Sequence, residues 1–360
     1  MISKIILENF KKFRKFELDL GNLTVLTGLN GSGKSTVIQS LLLSYQASLV
    51  GRNKVPLVAA PGLDLGRASD VLCVDSPNSQ ITIAIESDHQ YQWVFDTGNS
   101  GDEPFLDVVS SPDQPPAPFG ESGQRFTFLS AERLGPRTSH PINHLAPNEI
   151  SIGEDGRYAA HILATHDRQE VPEELRHPGA GTIKTLGAQT EAWMSQLVGP
   201  VQFEAALIPR TSMATLRVRT PGNMGEWMLP TNTGFGISYS LPIIISGLIA
   251  SSGGLMIVDS PEAHLHPSAQ SAIGVFLAAV ANSGVQVVVE THSDHVLNGI
   301  RRAVAVEKKI CETDVNIYFF GDEGEIKLKI DENGKIDSWP TGFFDQMDVD
   351  LNKIINSRRA

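Results

Sequence analysis

Gly28-Leu29-Asn30-Gly31-Ser32-Gly33-Lys34-Ser35-Thr36 decides the fold. Its spacing is G-x-x-x-x-G-K-[ST], and its flanks suit that pattern. The run Leu23-Thr24-Val25-Leu26-Thr27 ahead of it predicts a buried strand, and Val37 to Leu43 behind it predicts the first turns of a helix. Glycines let backbone wrap an anion closely, and successive N–H groups at a helix N-terminus point at a phosphate. In such a loop the Lys34 ammonium bridges the β- and γ-phosphates and the Ser35 hydroxyl sits on Mg²⁺. The competing reading, a Gly/Ser turn that fits by chance, lacks a reason for the flanking strand and helix. The stretch therefore predicts a nucleotide site in which Gly28, Asn30, Gly31, Ser32, Gly33, Lys34, Ser35 and Thr36 hold the phosphates.

Downstream, Leu255-Met256-Ile257-Val258-Asp259 describes a buried central strand that ends in a carboxylate. That carboxylate, with Ser35, supplies the metal ligands. Ser260-Pro261-Glu262-Ala263-His264-Leu265-His266-Pro267 follows. Glu262, His264 and His266 at alternate positions form a rival metal pattern, which the phosphate loop makes unnecessary. Val285 to Glu290 predicts another buried strand, with Thr291-His292-Ser293 at its end. Between these blocks, Asn232-Thr233-Gly234-Phe235-Gly236-Ile237-Ser238 precedes an apolar helix. It reads either as a plain helix cap or as a second anion site.

The hairpin predicted for Ile5–Phe10 and Phe13–Leu18, running straight into the phosphate loop, resembles the N-terminus of ABC-type ATPase heads of the RecF, SMC and OLD kind. The P-E-x-H-L-H-P run and the T-H-S triplet are similar to motifs of the same group. The resemblance implies that the hairpin packs beside base and ribose, with Lys11, Arg14 or Lys15 reaching phosphate or simply solvated. It implies that Gly234, Gly236 and Ser238 form a degenerate signature motif, which contacts the γ-phosphate held by a partner subunit. It also implies that His292 is the switch histidine at the γ-phosphate. Glu262 is either the residue that orients the attacking water or a tie for its own loop. The glutamate that usually follows the aspartate is replaced here by Ser260. Catalysis would thus rest on Glu262, His292 and Asp259, with slow turnover.

The fold class expected is α/β: a P-loop NTPase of ABC-head type with an antiparallel β-subdomain, a short helical insertion and a small C-terminal β extension. The expected division is 1–130 for the N-terminal half of the head and 131–225 for an inserted helical and strand arm. The C-terminal half takes 226–312 and the extension 313–360. The arm sustains no heptad, so long coiled-coil tethering is out of reach. Gly98 to Gly123 is polar and rich in Pro and Gly, and reads as a long connection. The tail resembles a C-terminal domain of unknown function on bacterial ATPases of this group. The 68 residues after His292 are too few for the nuclease domain that OLD proteins carry there. Asp345, Asp348 and Asp350 read as a solvated turn and cap.

A net charge of −12 argues against coating nucleic acid by bulk electrostatics, without deciding whether DNA or RNA is touched locally. Cys73 and Cys311 give neither a disulfide framework nor metal spacing. No leader or membrane span is expected, which points to the cytoplasm. The resulting expectation is an ATPase using ATP and Mg²⁺ that dimerises head to head, or forms a higher oligomer. It would energise a separate effector protein in genome maintenance or phage defence. The alternative is a slow nucleotide-gated switch that licenses such an effector.

Overall fold

The computed structural model describes residues 1–360 apart from 51–52, 99, 121–123, 145–150, 222–224 and 358–360. Two six-stranded sheets organise the chain. The first opens with the hairpin of β1 (Lys4–Phe10) and β2 (Phe13–Asp19), and the chain then enters β3 (Leu23–Gly28) of the second sheet and α1 (Lys34–Val50). It returns to the first sheet through β4 (Lys54–Pro56), β5 (Gln80–Glu86), β6 (Gln90–Asp96) and β7 (Phe105–Ser110). The order is β2-β1-β5-β6-β7-β4 and every pairing is antiparallel. The expected hairpin and the Ile81–Ile85 with Tyr91–Phe95 pair are both present, in the registers Phe10↔Phe13 and Ile81↔Phe95. Strand β7 lies inside the stretch expected as a connection. Leu106 is fully buried there, and that burial outweighs the Pro and Gly around it.

The second sheet is the one that carries the phosphate loop. Its strands are β3, β8 (Phe126–Leu129), then later in the chain β11 (Leu255–Asp259), β12 (Gln286–Glu290), β13 (Val315–Gly321) and β14 (Gly324–Leu328). Between β8 and β11 come α2 (Ala159–His166), α3 (Leu186–Val198), strands β9 (Gln202–Leu207) and β10 (Met213–Arg219), and α4 (Phe235–Ile249). Helices α5 (Pro267–Asn282) and α6 (Asp294–Ala305) follow β11 and β12, and α7 (Gln346–Ser357) ends the chain's regular structure. The order is β8-β11-β12-β3-β13-β14, parallel except for the last pair. Strand β13 begins the stretch expected as a C-terminal extension, yet it pairs with β3 over Val315↔Leu23 to Phe320↔Gly28 and completes this sheet.

Side chains alternate across these strands, as the two-residue period of a strand requires. Val25, Met256, Val258, Val287 and Val289 join the core under α4, α5 and α6, while Leu26, Leu255, Ile257 and Val288 join the core shared by α1 and the antiparallel sheet. Each apolar side chain so buried contributes roughly 1.5–3 kcal/mol. The sheet is thus fixed from both faces, and its strand ends form a rigid rim. No helix among the described residues is long and apolar enough to cross a membrane.

Candidate functional site

The rim is where the chemistry collects. Strand β3 ends at Gly28, with φ +127°, and a Cβ there would lie 2.2 Å from the Phe320 carbonyl oxygen of β13. Only glycine lets the chain leave the sheet at this point. The loop then climbs through Asn30 and Gly31, both exposed, to Gly33, where a Cβ would meet the Phe13 ring at 2.5 Å. The Ser32 hydroxyl donates to the Leu29 carbonyl at 2.6 Å, and the Thr36 N–H bonds back to Gly33. Among the described residues, the N–H groups of Asn30, Gly31, Gly33, Lys34 and Ser35 have no hydrogen-bond acceptor. Such a ring of open donors at a helix start is the arrangement that an anion can satisfy. Lys34, 3% exposed, donates from Nζ to the Gly28 and Leu29 carbonyls at 3.0 and 2.7 Å. The hairpin does touch the loop, but through Lys12, whose Nζ donates to the Ser32 carbonyl at 2.7 Å. Lys11 instead bonds Gln39, Arg14 is exposed, and Lys15 lies 3.9 Å from Glu8.

Opposite the loop stand two strand-end carboxylates, side by side in register: Asp259 on β11 and Glu290 on β12. Glu290, which the sequence reading left without a role, accepts from the Ser35 hydroxyl at 3.1 and 3.0 Å and lies 3.9 Å from Lys34 Nζ. Burial pushes its carboxyl up to about 7, and the Asp259 charge adds to this against the pull of Lys34 and Ser35. The Lys34 ammonium is held below its ordinary range by burial, against the attraction of Glu290 and Asp259. Both members of the pair shift toward neutrality, so desolvation outweighs their mutual attraction. The signal for Glu290 was in the sequence: Val-Val-Val-Glu repeats the apolar-run-then-acid pattern of Met-Ile-Val-Asp.

The loop after Asp259 is tightly tied. Ser260 sits at φ +48° and its hydroxyl donates to Asp259 Oδ1 at 2.8 Å. Glu262 Oε2 accepts from the Thr291 hydroxyl at 2.7 Å, and Oε1 accepts from the His292 N–H at 2.8 Å. Of the two readings of Glu262, this arrangement is the tie: it clamps the segment that presents His292. That segment is fixed from the other side by Ser293, which caps α6 by accepting from the His295 and Val296 N–H groups. The His292 ring lies exposed at the cleft edge. Partial desolvation, then the Lys34 charge, keep it below the usual imidazole range against Glu262 and Asp259. Lys34, Asp259, Glu262 and His292 are therefore brought to one place.

The rival metal pattern is not assembled. His264 packs against Tyr239, with ring centroids 4.3 Å apart, and His266 caps α5 by accepting from the Ser268 N–H. No group of three or more His, Cys, Asp or Glu placed to hold a metal occurs among the described residues. The hard oxygen donors of Ser35 and Asp259 do suit Mg²⁺ arriving with a nucleotide.

Gly234, Gly236 and Ser238 form the start of α4, with Gly234 at its N-cap and Phe235 beside it 55% exposed. Among the described residues no hydrogen bond joins them to the phosphate loop of their own chain. What connects this helix to the site is Arg133, also without an assigned role in the sequence reading. It is 3% exposed and donates to four carbonyls: Ser130, Asp259, Ser260 and, from Nε, Tyr239 in the first turns of α4. Burial lowers its guanidinium to about 10, against the nearby Asp259 and Glu262 charges.

A phosphate loop between β3 and α1, an acid at the end of β11 and a histidine after β12 make a P-loop fold similar to the ABC-type ATPase heads of the RecF, SMC and OLD group. In particular, an AAA ATPase domain model matches residues 1–90, an AAA domain model matches 136–298, and the family of unknown function DUF3696 matches 310–354. Old nuclease of Escherichia phage P2 is 21% identical over 345 residues. The match covers 85% of this chain but only 58% of that relative's length. Among solved structures, the Smc head domain with an extended coiled coil, bound to the C-terminal domain of ScpA from Pyrococcus furiosus, superposes with a TM-score of 0.54 at 10% identity. It covers 100% of this chain and 99% of that one. An SmcHead bound to the C-winged helix domain of ScpA gives 0.51 at 12% identity, covering 96% and 99%. These likenesses bear on the fold.

Proposed function

We propose that the chain binds and hydrolyses ATP with Mg²⁺, and that ATP closes two copies head to head. The observation that carries this is the ring of open N–H groups from Asn30 to Ser35, facing strand-end acids across Lys34. Those donors and the Lys34 ammonium take the polyphosphate, and Ser35 and Asp259 hold the metal. When bound, Mg²⁺ neutralises phosphate charge and polarises the bond to be broken. The chain's own residues position the rest. Glu262 and Ser293 fix the segment that carries His292, and the neutral imidazole can accept or donate a hydrogen bond at the γ-phosphate. The exposed start of α4 is free to meet the nucleotide of a second copy through Gly234, Gly236 and Ser238.

One observation favours slow turnover and hence a switch that licenses an effector. Ser260 stands where the water-orienting glutamate usually does, and both oxygens of Glu262 are engaged by the His292 segment. A missing or misplaced base removes roughly 10²–10⁴-fold in rate. The expected division up to residue 312, the effector, and a role in genome maintenance or phage defence belong to this proposal, whereas β13 makes the start of 313–360 part of the core sheet. They are supported by the likeness to Old nuclease and by the ScpA-bound Smc heads.

The test is ATP binding by calorimetry, with light scattering on the same samples. The wild type is expected to bind ATP and to dimerise with it. Lys34→Ala should lose binding, because charge-assisted bonds there run to roughly 1.5–3 kcal/mol each. Equal affinity in the two chains would refute the assignment.

A further inference from the structure

We propose that Glu290 is a third member of the metal shell beside the nucleotide, a place that the motifs assign to Ser35 and Asp259 alone. The inference rests on the reading of this rim as a Mg²⁺–nucleotide site and extends it. Placement is the first argument. Glu290 closes β12, the strand lying between β11, which ends in Asp259, and β3, which feeds the phosphate loop. Residues paired in register on parallel strands send their side chains to the same face, so Asp259 and Glu290 approach the loop together.

Distance is the second. The Glu290 carboxylate oxygens lie 3.1 and 3.0 Å from Ser35 Oγ. Two oxygens bound side by side on an octahedral magnesium ion, each at 2.0–2.1 Å, are about 3 Å apart. The pair thus already has the separation of neighbouring ligands, and a cation could sit between them while the Ser35 hydroxyl keeps its proton and turns it away from Glu290.

The third argument is unmet valence. The Glu290 side chain is 6% exposed. Its two oxygens share a single hydroxyl proton, because Ser35 has only one to give, and no other hydrogen-bond donor reaches them among the described residues. Lys34 Nζ, 3.9 Å away, is beyond hydrogen-bond distance and gives two of its three protons to the Gly28 and Leu29 carbonyls. A carboxylate this buried and this poorly met is costly unless a cation shares it. Glu262 is held elsewhere, its two oxygens turned to the Thr291 hydroxyl and the His292 N–H.

A carboxylate in the shell has opposite effects with and without metal. It repels the phosphates of free ATP and attracts Mg²⁺ once the metal joins them. Binding of a fluorescent ATP analogue to the full chain is therefore measured in EDTA and in excess Mg²⁺, for wild type and Glu290→Gln. The ratio of the two dissociation constants is expected to fall at least tenfold in the variant, with affinity in EDTA equal to or above that of the wild type. An unchanged ratio overturns the inference, as does an equal loss under both conditions, which marks a structural role. Should the Gln variant not fold, the ratio is read on Glu290→Asp, where a fall supports the proposal and no change overturns it. A wild type that binds the analogue under neither condition removes the nucleotide site itself, and that failure is visible before any variant is made.

Discussion

Without metal or nucleotide, Glu290 is a liability whose size follows from its surroundings. Burial first, and then the Asp259 charge, raise its carboxyl from 4.5 to about 7. An acid whose folded value lies above its unfolded one is held in its protonated form by folding. Between those two values the folded chain binds more protons than the unfolded chain, so stability falls as pH rises. The cost is absent below 4.5 and complete above about 7. With 1.36 kcal/mol per unit, 2.5 units correspond to about 3 kcal/mol, of which about 2 kcal/mol develop between pH 5.5 and pH 8. Glutamine keeps the shape and has no such cost. The expected result in EDTA is therefore that Glu290→Gln gains on the wild type with pH, its advantage in urea unfolding being about 2 kcal/mol larger at pH 8 than at pH 5.5. An advantage of the same size at both pH values would refute the reasoning, because it would mean that the carboxylate is solvated in the folded chain.

Three further outcomes are expected. Arg133→Met should lower stability by about 3–5 kcal/mol in urea unfolding, since four partly buried carbonyls lose their donor, and Arg133→Lys should recover only part because an ammonium cannot span them; a Met variant as stable as wild type would show that water fills the place. Ser238→Arg should leave ATP binding by the isolated chain intact while blocking ATP-dependent dimerisation in light scattering, and a variant that still dimerises would reduce Gly234 to Ser238 to a helix cap. Glu262→Gln can accept only one of the two hydrogen bonds that fix the His292 segment, so stability in urea unfolding should fall by about 1–3 kcal/mol and steady-state ATP hydrolysis should fall with ATP binding retained; full stability and full turnover together would remove the tie.

What the sequence made legible was local. Gly28 to Thr36 could be read because a phosphate loop is a backbone conformation, and its glycines and lysine announce it within nine residues. Asp259 could be read because four apolar residues must precede an acid that reaches the rim from a buried strand. Strand β7 was hidden among Pro and Gly, since its assignment depends on pairing with β6 and β4 across the sheet. Arg133 was hidden for a similar reason: three of its four acceptors come from residues more than a hundred positions away.

Glu290 lies between these cases. Its strand was legible, but its meaning depends on β12 lying between β11 and β3, and strand order is not written in any one segment. That order also bears on Ser260. A glutamate in place of Ser260 would add a second acid to the end of β11, whereas this chain adds its second acid to the next strand, nearer the loop, where Ser35 meets it. The rim keeps two carboxylates, and on the proposed reading the second stands toward the metal instead of toward the attacking water. A site so arranged would hold a metal-bound nucleotide more readily than it breaks one, which is why slow turnover and a nucleotide-gated role are proposed together.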